Sequence, residues 1–148
     1  MDGVVYYGSD ADEVIELNEK KWAQVGIDED WVWGLDTRGE LYYLDYSYEG
    51  NINENQGYIK ADEFFERNND LENITIVKIS EGDSYTAAID NKGKVYMWGH
   101  NAYGQFGNGT TYSSIWPICI SEIEGNLLNG KKIVDISAGD LHTTALSK

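Results

Sequence analysis

The strongest constraint on the fold is an internal repeat near the end of the chain. The segment "IVKISEGDSYTAAIDNKGKVYMWG", which starts at Ile76, matches "IVDISAGDLHTTALSK", which starts at Ile133, without a gap. The match places Gly82 on Gly139 and Asp83 on Asp140. Self-similarity at a fixed period is the signature of repeat architectures, in which each unit buries its apolar face against its neighbours. We therefore expect stacked copies of one supersecondary unit.

A weaker copy lies upstream in "WAQVGIDEDWVWGLDTRGELYYL", in which Trp22 takes the place of Ile76. It keeps Gly39 in the place of Gly93. It has no counterpart of the segment "WGHNAYGQFG" after Leu44, where the chain reads "DYSYEGN". The first copy is therefore divergent in this part.

Each copy predicts antiparallel β-structure. The segments "TIVKIS", "SYTAAI" and "KVYMW" are rich in β-branched and aromatic residues, which favour strands. Between them, "DNKG" is a turn in which Gly93 suits a positive φ. A further strand near Ile118 to Ser121 would complete four strands per unit. The predicted fold class is all-β, a β-propeller segment of four-stranded antiparallel blades, with one short helix expected in "KADEFFERNNDLE" (60–72).

The two ends of the chain are complementary parts of one repeat. The C-terminal "TTALSK" stops in the middle of a hairpin that the N-terminal "MDGVVYYG" continues, with Gly3 in the place of Gly93. We expect one repeat domain over 1–148, divided into a partial blade (1–21), a divergent repeat (22–75), a well-matched repeat (76–132) and a partial repeat (133–148). About three repeats are too few to close a ring alone, since propellers need about four to eight blades.

Two explanations of these ends remain open. The chain is a fragment of a longer repeat protein, or strands of one copy complete a blade of another copy and produce a homo-oligomer. The fragment is the preferred explanation.

The composition limits the class of partner. The chain has 26 acidic and 11 basic residues and a formal charge of −15. Such a surface repels the polyanionic backbone of nucleic acid, and the densest basic clusters are only pairs, Lys20 with Lys21 and Lys131 with Lys132. No nucleic-acid partner is therefore expected. The acidic surface serves solubility or steers a basic partner. No membrane partner is expected, because no apolar run approaches membrane-spanning length.

Metal, cofactor and catalytic sites are not predicted. Cys119 is the only cysteine and is interpreted as a buried, inert thiol in a strand. His100 and His142 lack the spacing of a zinc site. The segment "NINENQGYIKAD" (51–62) lacks the glycine that a calcium loop needs at its sixth position. No nucleophile, base and orienting residue can be grouped, so the chain is interpreted as a non-enzyme.

The glycine-rich segment after Trp98 has two interpretations. Gly99 and Gly104 have the spacing of a phosphate-binding loop, but Gln105 replaces the required lysine and no helix is predicted beyond it. The preferred interpretation is structural, with glycines at positive φ and with Asn101 and Gln105 bonded to the backbone. The repeat positions expected to be structural are Gly39, Gly82, Gly93, Trp98, Gly99, Asn101, Gly104, Gln105, Gly107, Gly139 and His142.

The same motifs resemble the repeat of the regulator of chromosome condensation family. An Ala-Gly-x-x-His segment ends at His142, and a Trp-Gly-x-Asn-x-x-Gly-Gln segment starts at Trp98. The resemblance covers residues 76–148 well and 22–45 loosely. It implies a β-propeller, usually of seven blades, that serves as a binding platform. The family's founding activity is guanine-nucleotide exchange on a small GTPase. It is not carried over, because the loops and wedge it needs are not identifiable here.

Four tyrosines fall in predicted loops, where a rigid β-scaffold would present a large contact area at low entropic cost. They are Tyr46, Tyr48, Tyr103 and Tyr112. The predicted function is a non-catalytic scaffold that presents acidic, tyrosine-bearing loops to a protein partner. The alternative is an accessory or inhibitory propeller domain of, or acting on, an enzyme whose catalytic part lies outside this chain.

Overall fold

The structure is a computed structural model that describes residues 6–7, 15–16, 21–27, 31–45, 59–60 and 74–148. Apart from one short 3₁₀ turn at Ile120–Glu122, the regular structure in these ranges is β-strand. The strands are β1 (Tyr6–Tyr7), β2 (Ile15–Glu16), β3 (Trp22–Ile27), β4 (Trp31–Asp36), β5 (Leu41–Asp45), β6 (Ile59–Lys60), β7 (Ile76–Glu81), β8 (Tyr85–Asp90), β9 (Val95–Gly99), β10 (Ser114–Cys119), β11 (Ile133–Ala138) and β12 (Thr143–Ser147).

The strands pair as antiparallel sheets in chain order. Strands β3 to β6 form one four-stranded sheet and β7 to β10 form another, whereas β1 pairs with β2 and β11 pairs with β12. Each four-stranded sheet is one blade. The predicted all-β fold of four-stranded antiparallel blades is confirmed, and the sheets formed by the described residues do not close into a ring.

Successive blades are joined by the same main-chain contact. The N–H of Ile133, at the start of β11, donates to the carbonyl of Gly93 at 3.0 Å, just as the N–H of Ile76 donates to the carbonyl of Gly39 at 3.1 Å. Gly93 has a φ of 86°, and a Cβ added to it would lie 2.9 Å from the Ile133 oxygen. Each turn therefore needs glycine for its backbone angle and for the close approach of the next blade.

The apolar core lies between blades. Alternate residues of β8 and β9 point to opposite faces of their sheet, as expected for strands, and both faces are buried. One face packs on the preceding blade through Trp33, Leu35, Leu41, Ile76, Ile79, Ala88, Tyr96 and Trp98. The other packs on β11 through Tyr85, Ala87, Ile89, Val95, Met97, Phe106, Ile120, Ile133 and Ile136. The middle blade is thus held from both sides by burial of large side chains, each of which contributes about 1.5–3 kcal/mol.

The first strands of the repeats are also linked through one repeat position. The Gln24 side chain of β3 donates to the Ile79 carbonyl at 2.7 Å and accepts from the Ile79 N–H at 2.9 Å. Lys78 occupies the same repeat position in β7, and its ammonium forms an ion pair with Asp135 of β11. The same position therefore bridges to the next blade in two successive repeats.

The last strand of the middle blade differs from its prediction. Strand β10 begins at Ser114 and ends at Cys119, whereas the sequence indicated a strand from Ile118 to Ser121. Pro117 cannot donate a ladder hydrogen bond, and the pairing with β9 shifts register between Ser114 and Ile118. Beyond the strand, Ser121 is turned inward, where its hydroxyl accepts from the Val95 N–H at 2.8 Å.

The helix predicted over 60–72 does not include its first residue, because Lys60 lies in β6. The other residues of that prediction, 61–72, lie outside the described part of the chain, as does most of the segment 51–62. Within the described ranges, no helix is long and apolar enough to cross a membrane.

Candidate protein-binding surface

The most exposed aromatic side chains of the middle blade lie on the loop of residues 100–113, which we call the β9–β10 loop. The chain enters it through Gly99, whose φ is 100°. A Cβ at Gly99 would lie 2.5 Å from the Ser84 carbonyl. The same carbonyl accepts from the His100 N–H at 2.7 Å. The start of the loop is therefore pressed against the turn between β7 and β8 and requires glycine.

Asn101 holds the two arms of this loop together. Its side chain is fully buried. The amide nitrogen donates to the carbonyls of Thr110 and Tyr112 at 3.1 and 3.0 Å, and the amide oxygen accepts from the Phe106 N–H at 2.9 Å. A buried amide whose polar atoms are all bonded fixes the loop in one conformation.

Gln105 and Phe106 fasten the loop to the blade. The Gln105 oxygen accepts from the Tyr103 N–H at 3.0 Å, and its amide nitrogen lies 3.3 Å from His100 Nδ1. The Phe106 ring is 1% exposed and packs 6.4 Å from the Tyr85 ring, centroid to centroid. The loop is therefore a rigid platform.

The remaining glycines of the loop serve its backbone. Gly104, Gly107 and Gly109 have φ values of 79°, 62° and 78°. The element after the loop is strand β10, so no helix N-terminus faces these glycines. The segment therefore lacks both the lysine and the helix of a phosphate-binding loop.

The structure exposes two of the four tyrosines predicted to contact a partner. Tyr103 is 69% exposed and Tyr112 is 80% exposed, and both lie on the β9–β10 loop. Ile115, just beyond the loop, is 69% exposed. Tyr46 and Tyr48 lie outside the described residues.

Exposed carboxylates lie on the neighbouring turns. Asp83, in the turn between β7 and β8, is exposed, and Asp140 is exposed at the same position of the next repeat. The two turns touch, because a Cβ added to Gly82 would lie 2.5 Å from the Gly139 carbonyl. Since the β7–β8 turn also supports the start of the β9–β10 loop, carboxylates and tyrosines share one end of the blade.

His142 takes part in the contact between repeats through its main chain. Tyr85, at the same position of the preceding repeat, donates its hydroxyl to the His142 carbonyl at 2.7 Å and lies 3.0 Å from the Thr143 hydroxyl. The His142 ring lies over Gly139, since a Cβ there would be 2.8 Å from the ring. Sequence reasoning missed the role of Tyr85, although its alignment with His142 was the signal that could have revealed it.

Two further contacts of the loop were not foreseen. The Thr143 hydroxyl donates to the Gln105 carbonyl at 3.0 Å, and the Asn126 amide donates to the Gly107 carbonyl at 2.9 Å. Both join the β9–β10 loop to residues that follow the middle blade. No sequence motif marks them, because the acceptors are main-chain atoms.

The single cysteine lies in a setting that disfavours its reactive form. Cys119 is half-buried. Burial raises the pKa of its thiol, and the nearby carboxylate of Glu122 raises it further. The thiolate, which is the nucleophile and the metal ligand, is therefore scarce at neutral pH. Within the described residues, no three or more His, Cys, Asp and Glu side chains are grouped to hold a metal ion.

Comparisons with known proteins agree with this geometry. Residues 92–146 and 76–105 each match the family described as Regulator of chromosome condensation (RCC1) repeat. An RCC1 repeat-containing protein of Dictyostelium discoideum is 29% identical over 116 residues, which are 78% of this chain and 21% of that protein. The E3 ubiquitin-protein ligase HERC2 of Homo sapiens is 33% identical over 78 residues, which are 53% of this chain and 2% of the ligase.

Solved structures show the same architecture. Human WBSCR16 superposes with a TM-score of 0.66 at 20% identity, over 92% of this chain and 34% of its own. Prp20p from Saccharomyces cerevisiae superposes with a TM-score of 0.67 at 14% identity, over 91% of this chain and 33% of its own. This chain thus spans about a third of these structures. The repeat motifs, the blades and these matches together show that residues 76–146 are similar to the RCC1 repeat and that the described blades have the fold of an RCC1 propeller segment.

Proposed function

We propose that the chain is a non-catalytic scaffold that binds a protein partner through acidic, tyrosine-bearing loops. The observation that carries the proposal is the β9–β10 loop, in which buried side chains hold the backbone in place and two tyrosine side chains are exposed. Tyr103 and Tyr112 are 69% and 80% exposed, whereas Asn101 beneath them is 0% exposed. Aromatic side chains presented on a rigid support lose little entropy on binding, which is why they are enriched among the residues that dominate interfaces.

The charge of the loops favours a partner with a basic surface. Asp83 and Asp140 are exposed on turns at the same end of the blade as the tyrosines, and the chain as a whole carries a formal charge of −15. Complementary charge accelerates association and excludes acidic competitors, while aromatic contacts supply most of the affinity. The solved structure of Prp20p is described together with its binding to Gsp1p and histones. That description supports the RCC1 propeller as a scaffold on which proteins can dock.

The experiment is affinity capture with matched variants. The double variant Tyr103→Ser with Tyr112→Ser removes the two rings, and Leu127→Ser is the control because Leu127 is 83% exposed without being aromatic. Proteins retained by the wild type and the control but lost by the double variant, with unchanged melting temperatures, are the expected result. Equal retention by all three proteins would refute the proposal.

A second candidate is an accessory propeller domain of an enzyme. It is favoured by the match to HERC2, a ubiquitin ligase of which the matching segment is only 2%. The coding sequence on either side of this chain distinguishes the two candidates. A catalytic domain in the same reading frame supports the accessory role, and its absence supports the free-standing scaffold.

Blade completion between copies of the chain stays a prediction. The two-stranded sheets β1–β2 and β11–β12 each contain half the strands of a blade. Pairing of β12 with β1 of another copy would join them into a homo-oligomer. Sedimentation over a wide concentration range tests this prediction, and a monomer throughout would contradict it.

A further inference from the structure

The chain contains two Asn-Gly pairs in similar surroundings. They are Asn108-Gly109 in the β9–β10 loop and Asn129-Gly130 before β11. Both glycines are exposed, with φ values of 78° and 74°, and a Cβ added to either would meet no atom within 4 Å. In each pair the glycine is therefore open to solvent on the side where a side chain would project.

The side-chain carbonyl of Asn108 is held and polarised by Thr110. Asn108 Oδ1 accepts from the Thr110 main-chain N–H at 3.1 Å and from the Thr110 hydroxyl at 2.9 Å. The bond from the Thr110 N–H closes a ring of atoms that contains both Asn108 Cγ and the Gly109 nitrogen. Two donors on one oxygen also stabilise negative charge that develops there.

Asn129 has the opposite arrangement. Its amide nitrogen donates to the Ile123 carbonyl at 3.3 Å. Its side-chain oxygen accepts from no residue in the described part of the chain. In Asn129 the amide nitrogen is therefore bonded, whereas no donor among the described residues polarises the side-chain carbonyl. Asn129 is thus an internal control for Asn108.

We propose that Asn108 is a self-modification site, at which Thr110 promotes deamidation through the Gly109 main-chain nitrogen. That nitrogen attacks Asn108 Cγ, a nitrogen–carbon bond forms, and an electron pair moves onto Oδ1 between the two Thr110 donors. The proton of the Gly109 N–H passes through solvent to the departing amide nitrogen, the bond from Cγ to that nitrogen breaks, and ammonia leaves. Water then opens the cyclic imide at either carbonyl and leaves aspartate or isoaspartate.

The modification places a carboxylate in the tyrosine-bearing loop. It changes the formal charge of the chain from −15 to −16 (−15 − 1 = −16), on the segment between Tyr103 and Tyr112. It needs water as its only co-reactant. The inference rests on the contacts of Asn108 and does not depend on the proposed partner.

The test follows both asparagines in the same sample of the full chain during incubation at neutral to mildly alkaline pH. Ion-exchange chromatography separates the more acidic product. Trypsin cleaves at Lys94 and Lys131 and releases one fragment, 95–131, that contains both sites. Sequencing this fragment by mass spectrometry gives the two rates. We expect Asn108 to deamidate faster than Asn129.

The variant Thr110→Val removes the hydroxyl donor and preserves the shape of the side chain. We expect this variant to slow the deamidation of Asn108 by about 3- to 10-fold, which is the effect of losing one hydrogen bond. The deamidation rate of Asn129 should stay unchanged. In denaturant, the difference between the deamidation rates of Asn108 and Asn129 in the wild type should shrink, because Thr110 no longer bonds to the side-chain carbonyl of Asn108. Equal rates at the two sites in the folded chain, or an unaltered Asn108 rate in the folded Thr110→Val variant, would overturn the proposal.

Discussion

The hydroxyl of Tyr85 donates to the main-chain carbonyl of His142, the residue that occupies the same position one repeat later. Tyr85 is completely buried, and its hydroxyl also lies 3.0 Å from the Thr143 hydroxyl. One residue of the repeat therefore binds the backbone of its own equivalent in the next blade.

Tyr85→Phe should destabilise the contact between the middle blade and the sheet of β11 and β12. The substitution keeps the ring and removes the hydroxyl, which leaves the carbonyl of His142 without that donor. We expect the free energy of unfolding to fall by about 1–3 kcal/mol, measured by urea denaturation. Tyr112→Phe is the matched control, since Tyr112 is 80% exposed, and it should unfold like the wild type. Equal stability of Tyr85→Phe and the wild type would show that this hydrogen bond contributes nothing.

Gly93→Ala tests the joint between blades. The new methyl group would meet the Ile133 main chain at 2.9–3.0 Å in a residue whose φ is 86°. We expect a loss of about 2–5 kcal/mol from the left-handed backbone and the clash together. Gly109→Ala has a similar φ of 78° and open space around it, so it should lose only about 1–2 kcal/mol. Thermal denaturation of both variants separates the two costs, and equal losses would argue against the role of Gly93 in the joint.

Asn101→Leu should loosen the β9–β10 loop. The substitution removes an amide that bonds both arms of the loop, and it leaves the Phe106 N–H and two carbonyls without that partner. We expect a loss of about 1–3 kcal/mol and faster hydrogen exchange of the Phe106 amide. Asn129→Ala is the control, because Asn129 is exposed, and it should change stability by less than about 0.5 kcal/mol. An unchanged exchange rate at Phe106 would show that Asn101 does not hold the loop.

Stability should fall under alkaline conditions. Burial raises the pKa values of Tyr85, Tyr96 and Cys119. At pH values between the ordinary and the raised pKa values, the folded chain keeps these protons and the unfolded chain has lost them. The stability is therefore complete below the ordinary pKa values and is lost as the pH rises above about 9. Urea denaturation at increasing pH measures the decline. Tyr96→Phe should make this decline in stability shallower, whereas a free energy of unfolding that stays constant into the alkaline range would contradict the expected direction.

The repeat alignment was sufficient to predict the first three strands of the middle blade, β7 to β9, and the turn glycines. Gly39 and Gly93 occupy the same repeat position, and both prove to contact the next blade through their carbonyls. The start of β10 could not be predicted in this way, because Pro117 and a register shift distort its pairing with β9. Strand propensity describes regular ladders and contains no information about such irregularities.

The sequence was sufficient to predict which residue types the candidate surface contains, but not the hydrogen bonds that hold its loop. The sequence indicated tyrosines in loops, yet the partners of Asn101 are main-chain carbonyls of Thr110 and Tyr112. Main-chain acceptors are the same for every residue type, so composition cannot reveal them. The bond from Tyr85 to His142 could be foreseen only by assuming that adjacent repeats contact each other through equivalent positions.

The repeated bond from a strand's first N–H to the preceding turn glycine has a consequence for how such a protein can change over evolution. The joints at Gly39 and Gly93 use main-chain atoms and lie apart from the β9–β10 loop. The exposed Tyr103 and Tyr112 of that loop take no part in these joints, whereas Gln105 and Phe106 at its base also contact the next repeat. Loops in this position can therefore exchange the aromatic residues at their exposed tips, and new specificities can arise while the joints between blades are inherited unchanged.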